Sequence, residues 1–123
     1  MPLDSMALYY DPLYSDGISA EARFPRDRYR RIAERMAAHP QQPAILRSPA
    51  PAPIRALELA HDPTYVFDFL HGRLDPRAAR RIGLRPWTPL IIPRTLALIG
   101  GAIAALDDAM RSGGLAANMA GGT

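Results

Sequence analysis

Hydrophobic positions are grouped unevenly along the chain, and their grouping predicts strands alternating with helices. Residues 7–10, Ala7-Leu8-Tyr9-Tyr10, make a short apolar and aromatic run closed by Asp11-Pro12, the pattern of a buried strand entering a loop. That loop is expected to continue through Ser15-Asp16-Gly17. From Pro25 onward, Tyr29, Ile32, Ala33 and Met36 recur at helical spacing while Arg26, Arg28, Arg30, Arg31 and Arg35 fall elsewhere. Pro25 suits the first position of this amphipathic helix, which should end near His39-Pro40. Prolines at 40, 43, 49, 51 and 53 then leave room only for a short edge strand at 44–47.

Residues 54–60 and 63–71 are predicted helices. The second has Asp62 as N-cap, Pro63 in its first position and Gly72 as its stop. Asp75-Pro76 repeats the cap-plus-proline signal for a brief helix to Arg81, stopped by Gly83. Thr88 is the expected N-cap of the longest helix, which runs to Arg111 and closes at Ser112-Gly113-Gly114. A last strand is predicted at 115–119, before Ala120-Gly121-Gly122-Thr123. Strands separated by helical crossovers point to an α/β protein with two or three parallel strands. At 123 residues the chain is long enough for one domain. It ends directly after a strand and a glycine turn, where such folds place ligand loops, so it reads as a truncated domain.

Composition narrows the function classes. With 48% hydrophobic and 22% charged residues wholesale disorder is excluded. All 15 basic residues are Arg, which beside 13 Pro and abundant Ala fits the codon bias of a GC-rich genome. The net charge of +3 is therefore a weak argument for a nucleic-acid partner. Residues 23–35 are Arg-rich, yet Asp27 and Glu34 are interspersed and Tyr29 is the only tyrosine among them. A solvated helix face accounts for them better than a phosphate track. The absence of cysteine excludes disulfides, thiolate zinc sites and a cysteine nucleophile.

The N-terminal residues lack the charged and apolar regions of a signal peptide. The longest apolar stretch, 90–106, is broken by Pro93, Arg94 and Gly100-Gly101 and falls short of the roughly 20 apolar residues of a spanning helix. No membrane partner is expected, and a cytoplasmic location is.

No catalytic constellation is self-contained. His39, His61 and His71 are spaced 22 and 10 residues apart, which fits none of the usual zinc signatures. Asp68 and His71 lie one helical turn apart, but a histidine near a helix C-terminus is favoured by the dipole without any metal. Gly100-Gly101 either permits close approach to the long helix or is a tolerated pair costing about 1 kcal/mol per glycine relative to alanine.

Several segments taken together carry a family resemblance: Arg23-Phe24-Pro25 with Tyr29, His61-Asp62-Pro63-Thr64-Tyr65-Val66 with Phe69-Leu70, Arg80-Arg81-Ile82-Gly83-Leu84 with Pro86-Trp87, Gly100-Gly101, and Asn118-Met119-Ala120-Gly121-Gly122-Thr123. In this order and spacing they resemble the N-terminal portion of bacterial histone-deacetylase-like proteins, of the class IV type of zinc-dependent deacetylase. The resemblance implies a partial three-layer αβα, arginase-like fold over residues 1–123, cut before the tandem catalytic histidines. It implies zinc in the complete enzyme and hydrolysis of an N-acetyl amide, acetyl-lysine or acetylpolyamine. All the family's metal-binding and catalytic residues would lie beyond Thr123, so this chain alone should hold no metal and be inactive. Its partner would be the remainder of the domain or a separate chain.

Carried over residue by residue, Arg23 matches the arginine beside the cavity at the foot of the substrate tunnel, where it can hold a leaving acetate. Gly121 and Gly122 match the turn whose backbone passes the pocket floor. Three departures stand out: Ala22 replaces a common histidine, Arg85 is an extra residue before Pro86-Trp87, and Pro93 replaces a polar helix residue. The alternative is a non-catalytic degenerate homologue or an α/β interaction module completed by a partner chain.

Pro93 carries a structural expectation of its own. If Thr88 caps the long helix, Pro93 forfeits the bond to Pro89 and crowds its carbonyl, at a cost of about 3 kcal/mol. The helix should therefore kink or start late; straight helical geometry from Pro89 through Arg94 would contradict this.

Overall fold

A computed structural model describes residues 6–121. The chain opens with strand β1 (Met6–Tyr9) and a helical turn α1 (Leu13–Asp16), followed by helix α2 (Arg28–Ala38) and strand β2 (Ala44–Arg47). Three short helices come next, α3 (Ile54–Glu58), α4 (Pro63–Leu70) and α5 (Pro76–Ile82). The long helix α6 (Ile91–Ser112) leads into strand β3 (Ala116–Asn118). The sheet order is β2-β1-β3 with both pairings parallel, an α/β arrangement in which every strand-to-strand connection carries helices. The edge strand expected at 44–47 is β2.

Local signals that depend on one or two residues are realised. The Asp62 carboxylate accepts from the Thr64 and Tyr65 amides and Asp75 from those of Arg77 and Ala78, each with proline at the next position. Gly83 ends α5 in the left-handed region at φ 80°.

Three expectations are corrected. The segment around Ser15 and Asp16 is helical rather than loop: the Asp11 carboxylate accepts the Leu13 amide at 2.8 Å, and Tyr14 and Ser15 are fully buried. Helix α2 starts at Arg28, not Pro25, because Phe24 packs against the core and the Arg26 guanidinium donates to the Ile18 carbonyl at 2.7 Å. Thr88 is not the cap of the long helix. Helix α6 begins at Ile91 after Leu90, which leaves Pro93 in its first turn, where its missing amide has no intrahelical acceptor to lose. The helix thus starts late, as the proline requires.

Helix α6 packs on β1, β3 and α1. Tyr9 and Asn118 are register partners and so share a face of the sheet. Both reach α6: the Tyr9 hydroxyl donates to Asp108 Oδ2 at 2.6 Å and Asn118 Nδ2 to the Leu98 carbonyl at 2.9 Å. The glycine pair sits at the tightest part of this contact. A Cβ at Gly100 would overlap the Ala50 carbonyl oxygen, and one at Gly101 would overlap the Tyr14 hydroxyl and Asn118 Oδ1. The loop beyond β2 is held to the helix there by the Ala52 amide, which donates to the Leu96 carbonyl at 2.9 Å.

Helix propensity alone would make Gly100→Ala stabilising by about 1 kcal/mol. Because the obstruction is backbone, we expect the opposite, a loss of about 2 kcal/mol or more. Exposed Ala102→Gly, a control in the same helix, should cost about 1 kcal/mol. Urea denaturation of the two variants checks the sign. A second expectation concerns the outer edge of β3, which pairs with no strand among the described residues. Leu106, Met110 and Leu115 nearby are 65%, 76% and 81% exposed. An open edge beside apolar surface favours association, so the apparent mass in sedimentation velocity should rise with concentration.

Candidate functional site beside the sheet

The residues at issue follow the C-terminal ends of β1 and β3, where open parallel sheets place their ligands. Strand β1 leads through Tyr10 and Asp11 into α1, and β3 leads into Met119 and Ala120. The Met119 amide donates to the Tyr9 carbonyl at 2.9 Å, extending the ladder past the strand. Tyr14, Tyr29, Ala97, Leu98 and Ala120 form one buried cluster, with Tyr10, Phe24 and Met119 packed against it. Phe24 stacks on Tyr29, and the Arg28 guanidinium lies over both rings, 4.6 Å and 5.0 Å from their centroids.

Sequence reasoning selected Arg23, Gly121 and Gly122. Arg23 is exposed, on the wall of an open groove of about 430 Å³ that it shares with Phe24, Arg26, Arg28 and Arg31. Gly121 is exposed, and a Cβ there would meet nothing within 4 Å. Gly122 lies outside the described residues. The structure thus brings the immediate neighbours of Arg23 and Gly121, Phe24 and Ala120, into one cluster. Close backbone approach is realised at Gly100, Gly101 and Gly17 instead.

Two residues missed by that reasoning organise the region. Tyr14 is completely buried, and its hydroxyl donates to Asn118 Oδ1 at 2.6 Å. Burial pushes its phenol up to about 12, with Asp11 adding to the shift and Arg94 opposing it. Arg94 is 1% exposed. Its Nε donates to the Tyr14 carbonyl at 2.9 Å, while Nη2 has no hydrogen-bond partner. No carboxylate among the described residues pairs with it. Burial holds it below the usual guanidinium range, and Tyr29 and Tyr14 act in the opposite direction. Guanidinium stays protonated all the same, so the molecule buries a cation that lacks an anion, an arrangement whose desolvation costs on the order of several kcal/mol.

Gly17 makes the arrangement possible, since a Cβ there would collide with the Arg94 stem and the Leu13 carbonyl. A signal for Arg94 does exist in the sequence. It lies three residues after Ile91 and four before Leu98, both buried, on the stripe that α6 turns to the core. Tyr14 has no comparable signal, because a single tyrosine after Pro12-Leu13 looks like loop.

The histidines are not brought together. His71 Nδ1 lies 2.8 Å from the Phe67 carbonyl and its ring stacks on Phe67, while His61 packs by Tyr65. No group of three or more His, Asp or Glu side chains converges among the described residues. None of the helices among them is long and apolar enough to cross a membrane.

The fold and these contacts define an α/β protein with a parallel three-stranded sheet. No known family profile matches the chain. It is similar to an uncharacterized protein of Picosynechococcus sp., with 41% identity over 116 residues, 93% of this chain. The chain spans 38% of that relative's length.

The Tyr14 shift has a testable consequence. In the unfolded chain its phenol titrates near 10 and releases its proton before the folded form does, so stability is fully present below pH 10 and falls as pH rises toward 12. The loss should be about 2 kcal/mol. Tyr9 and Tyr10 are also raised and contribute with the same sign. Denaturation curves at pH 9 to 12 should therefore show a smaller fall in Tyr14→Phe than in the wild type, not its abolition.

Proposed function

We propose that the chain is the N-terminal part of a zinc-dependent deacetylase of the histone deacetylase superfamily. It would act in the cytoplasm on an N-acetyl amide such as acetyl-lysine or an acetylated polyamine. The observation that carries this reading is the ordered set of motifs from Arg23-Phe24-Pro25 to Asn118-Met119-Ala120-Gly121. Supporting it, residues from both ends of that set share one buried cluster beside the parallel sheet. The relative with 41% identity is much longer than this chain, which is compatible with a remainder, on the same or a partner chain, completing the domain.

The chain's own part is scaffold and pocket wall. Arg23 presents a permanently charged, exposed guanidinium, chemistry suited to holding a leaving carboxylate. The zinc of such an enzyme does not fit this segment by itself, because its described residues offer no converging ligand set and a catalytic site needs three. The metal ligands would all come from the remainder of the domain.

A chimera tests the reading: this chain replaces the matching segment of the Picosynechococcus relative. Purified with zinc, it should release acetate from acetyl-lysine peptide or acetylpolyamine, and a chelator should abolish turnover. Arg23→Ala should lower kcat/KM by about tenfold or more, about 1.4 kcal/mol. A folded chimera and a folded parent protein that both lack chelator-sensitive turnover on every acetylated amine would overturn the proposal in favour of a non-catalytic homologue.

A further inference from the structure

In sequence the arginines of residues 23–35 read as a solvated helix face, but the fold gathers four of them around one groove. Arg28 and Arg31 stand on α2, whereas Arg23 and Arg26 precede it, and all four line the open groove of about 430 Å³ together with Phe24 and Asp27. Four arginines against one aspartate leave an excess of three positive charges there, as large as the net charge of the whole chain. Asp27 is itself engaged, 3.8 Å from Arg26 and 3.6 Å from Arg30. No carboxylate among the described residues pairs with Arg23, Arg28 or Arg31. Two of the cations are fixed in place. Arg26 Nη1 donates to the Ile18 carbonyl at 2.7 Å, and Arg28, lying over the Phe24 and Tyr29 rings, donates from Nη2 to the Tyr29 hydroxyl at 3.1 Å. Arg31 follows three residues later on α2, a spacing that puts the two Cβ atoms about 5–6 Å apart.

We propose that this groove binds a chain of linked phosphate groups, held across Arg28 and Arg31 with Arg23 and Arg26 flanking it. Charge complementarity selects the ligand. Like charges gathered on a concave wall repel one another and focus a positive potential into the groove. A single carboxylate or orthophosphate offsets only part of that excess, whereas linked phosphates bring several anionic centres into one groove, each able to accept a guanidinium fork. Holding Arg26 and Arg28 in place beforehand lowers the ordering cost of binding. A nucleic-acid strand fits less well, because it spreads its charge along its length and stacks its bases on aromatic platforms. Phe24, the aromatic ring of the groove, is already engaged by Tyr29 and Arg28. The proposal is independent of the deacetylase reading, since Arg28 and Arg31 have no part in that reading and binding here needs neither an acetyl group nor zinc.

Calorimetric titration of the purified chain with tripolyphosphate, ATP, orthophosphate, a tetraglutamate peptide and an oligothymidylate tests it. Tripolyphosphate should bind saturably, about tenfold or more tighter than orthophosphate, and should weaken as salt is added. Arg28→Gln and Arg31→Gln should each weaken it about fivefold or more, while Arg77→Gln, which removes the same charge from an exposed position on α5, should leave it unchanged. The source of the phosphates is read from the other nucleotide arm: ATP bound as tightly as tripolyphosphate assigns the tail of a nucleotide, and ATP bound more weakly assigns a free oligophosphate. Circular dichroism checks that the variants fold; if Arg28→Gln does not, Arg31→Gln, on the exposed side of α2, decides against the Arg77→Gln control. Tripolyphosphate bound no tighter than orthophosphate, tighter binding of tetraglutamate or oligothymidylate, or an equal loss in Arg77→Gln would each overturn the proposal.

Discussion

At Gly100 and Gly101, helix α6 comes so close to the backbone at Ala50 and to the Tyr14 and Asn118 side chains that no Cβ fits between them. Much of the molecule's order follows from that approach. It lets Tyr14 lie across the helix and donate to Asn118, and it lets Asn118 donate onward to the Leu98 carbonyl. The loop after β2 is hydrogen-bonded to the same helix through Ala52 and Leu96. The first turn after β1, the end of β3 and the exit from β2 are thereby all fixed against one helix. A bulkier residue at either position would separate these elements before it affected the helix itself.

The same packing accounts for the buried arginine. Once Tyr14 is drawn inward, its carbonyl accepts from Arg94 Nε, and Gly17 leaves space for the Arg94 stem. One guanidinium nitrogen remains without a partner, in a region where burial already disfavours the charge. Replacing a buried charged group by a hydrocarbon of similar shape is often stabilising, so Arg94 is a net cost to the fold that the Tyr14 carbonyl bond only partly offsets.

The family resemblance and the structure draw attention to different residues. The resemblance selects Arg23 and Gly121, which are exposed, and Gly122, which lies outside the described residues. The geometry selects Tyr14, Arg94 and Asn118, which lie deeper and whose hydrogen bonds join residues distant in sequence. The two sets meet at the cluster of Tyr14, Tyr29 and Ala120, against which Phe24 packs. The proposed pocket wall and the internal framework therefore share one support.

What the sequence determined by itself is whatever a few neighbouring residues decide. The Asp-Pro caps of α4 and α5, the glycine stop of α5, the proline-limited edge strand and the delay of α6 by Pro93 all rest on local backbone chemistry. The alternation of strands and helices made the parallel sheet legible for the same reason, since crossovers between parallel strands need that length of chain. Only the tertiary structure decided that residues 13–16 are helical, that Phe24 and Arg26 hold the chain out of α2, and that Gly100-Gly101 is a contact rather than a tolerated weakness. It alone also set Arg94 against the Tyr14 carbonyl. Each of those outcomes depends on atoms from segments far apart in the chain, and hydrophobic periodicity carries no record of which distant backbone will fill a given space.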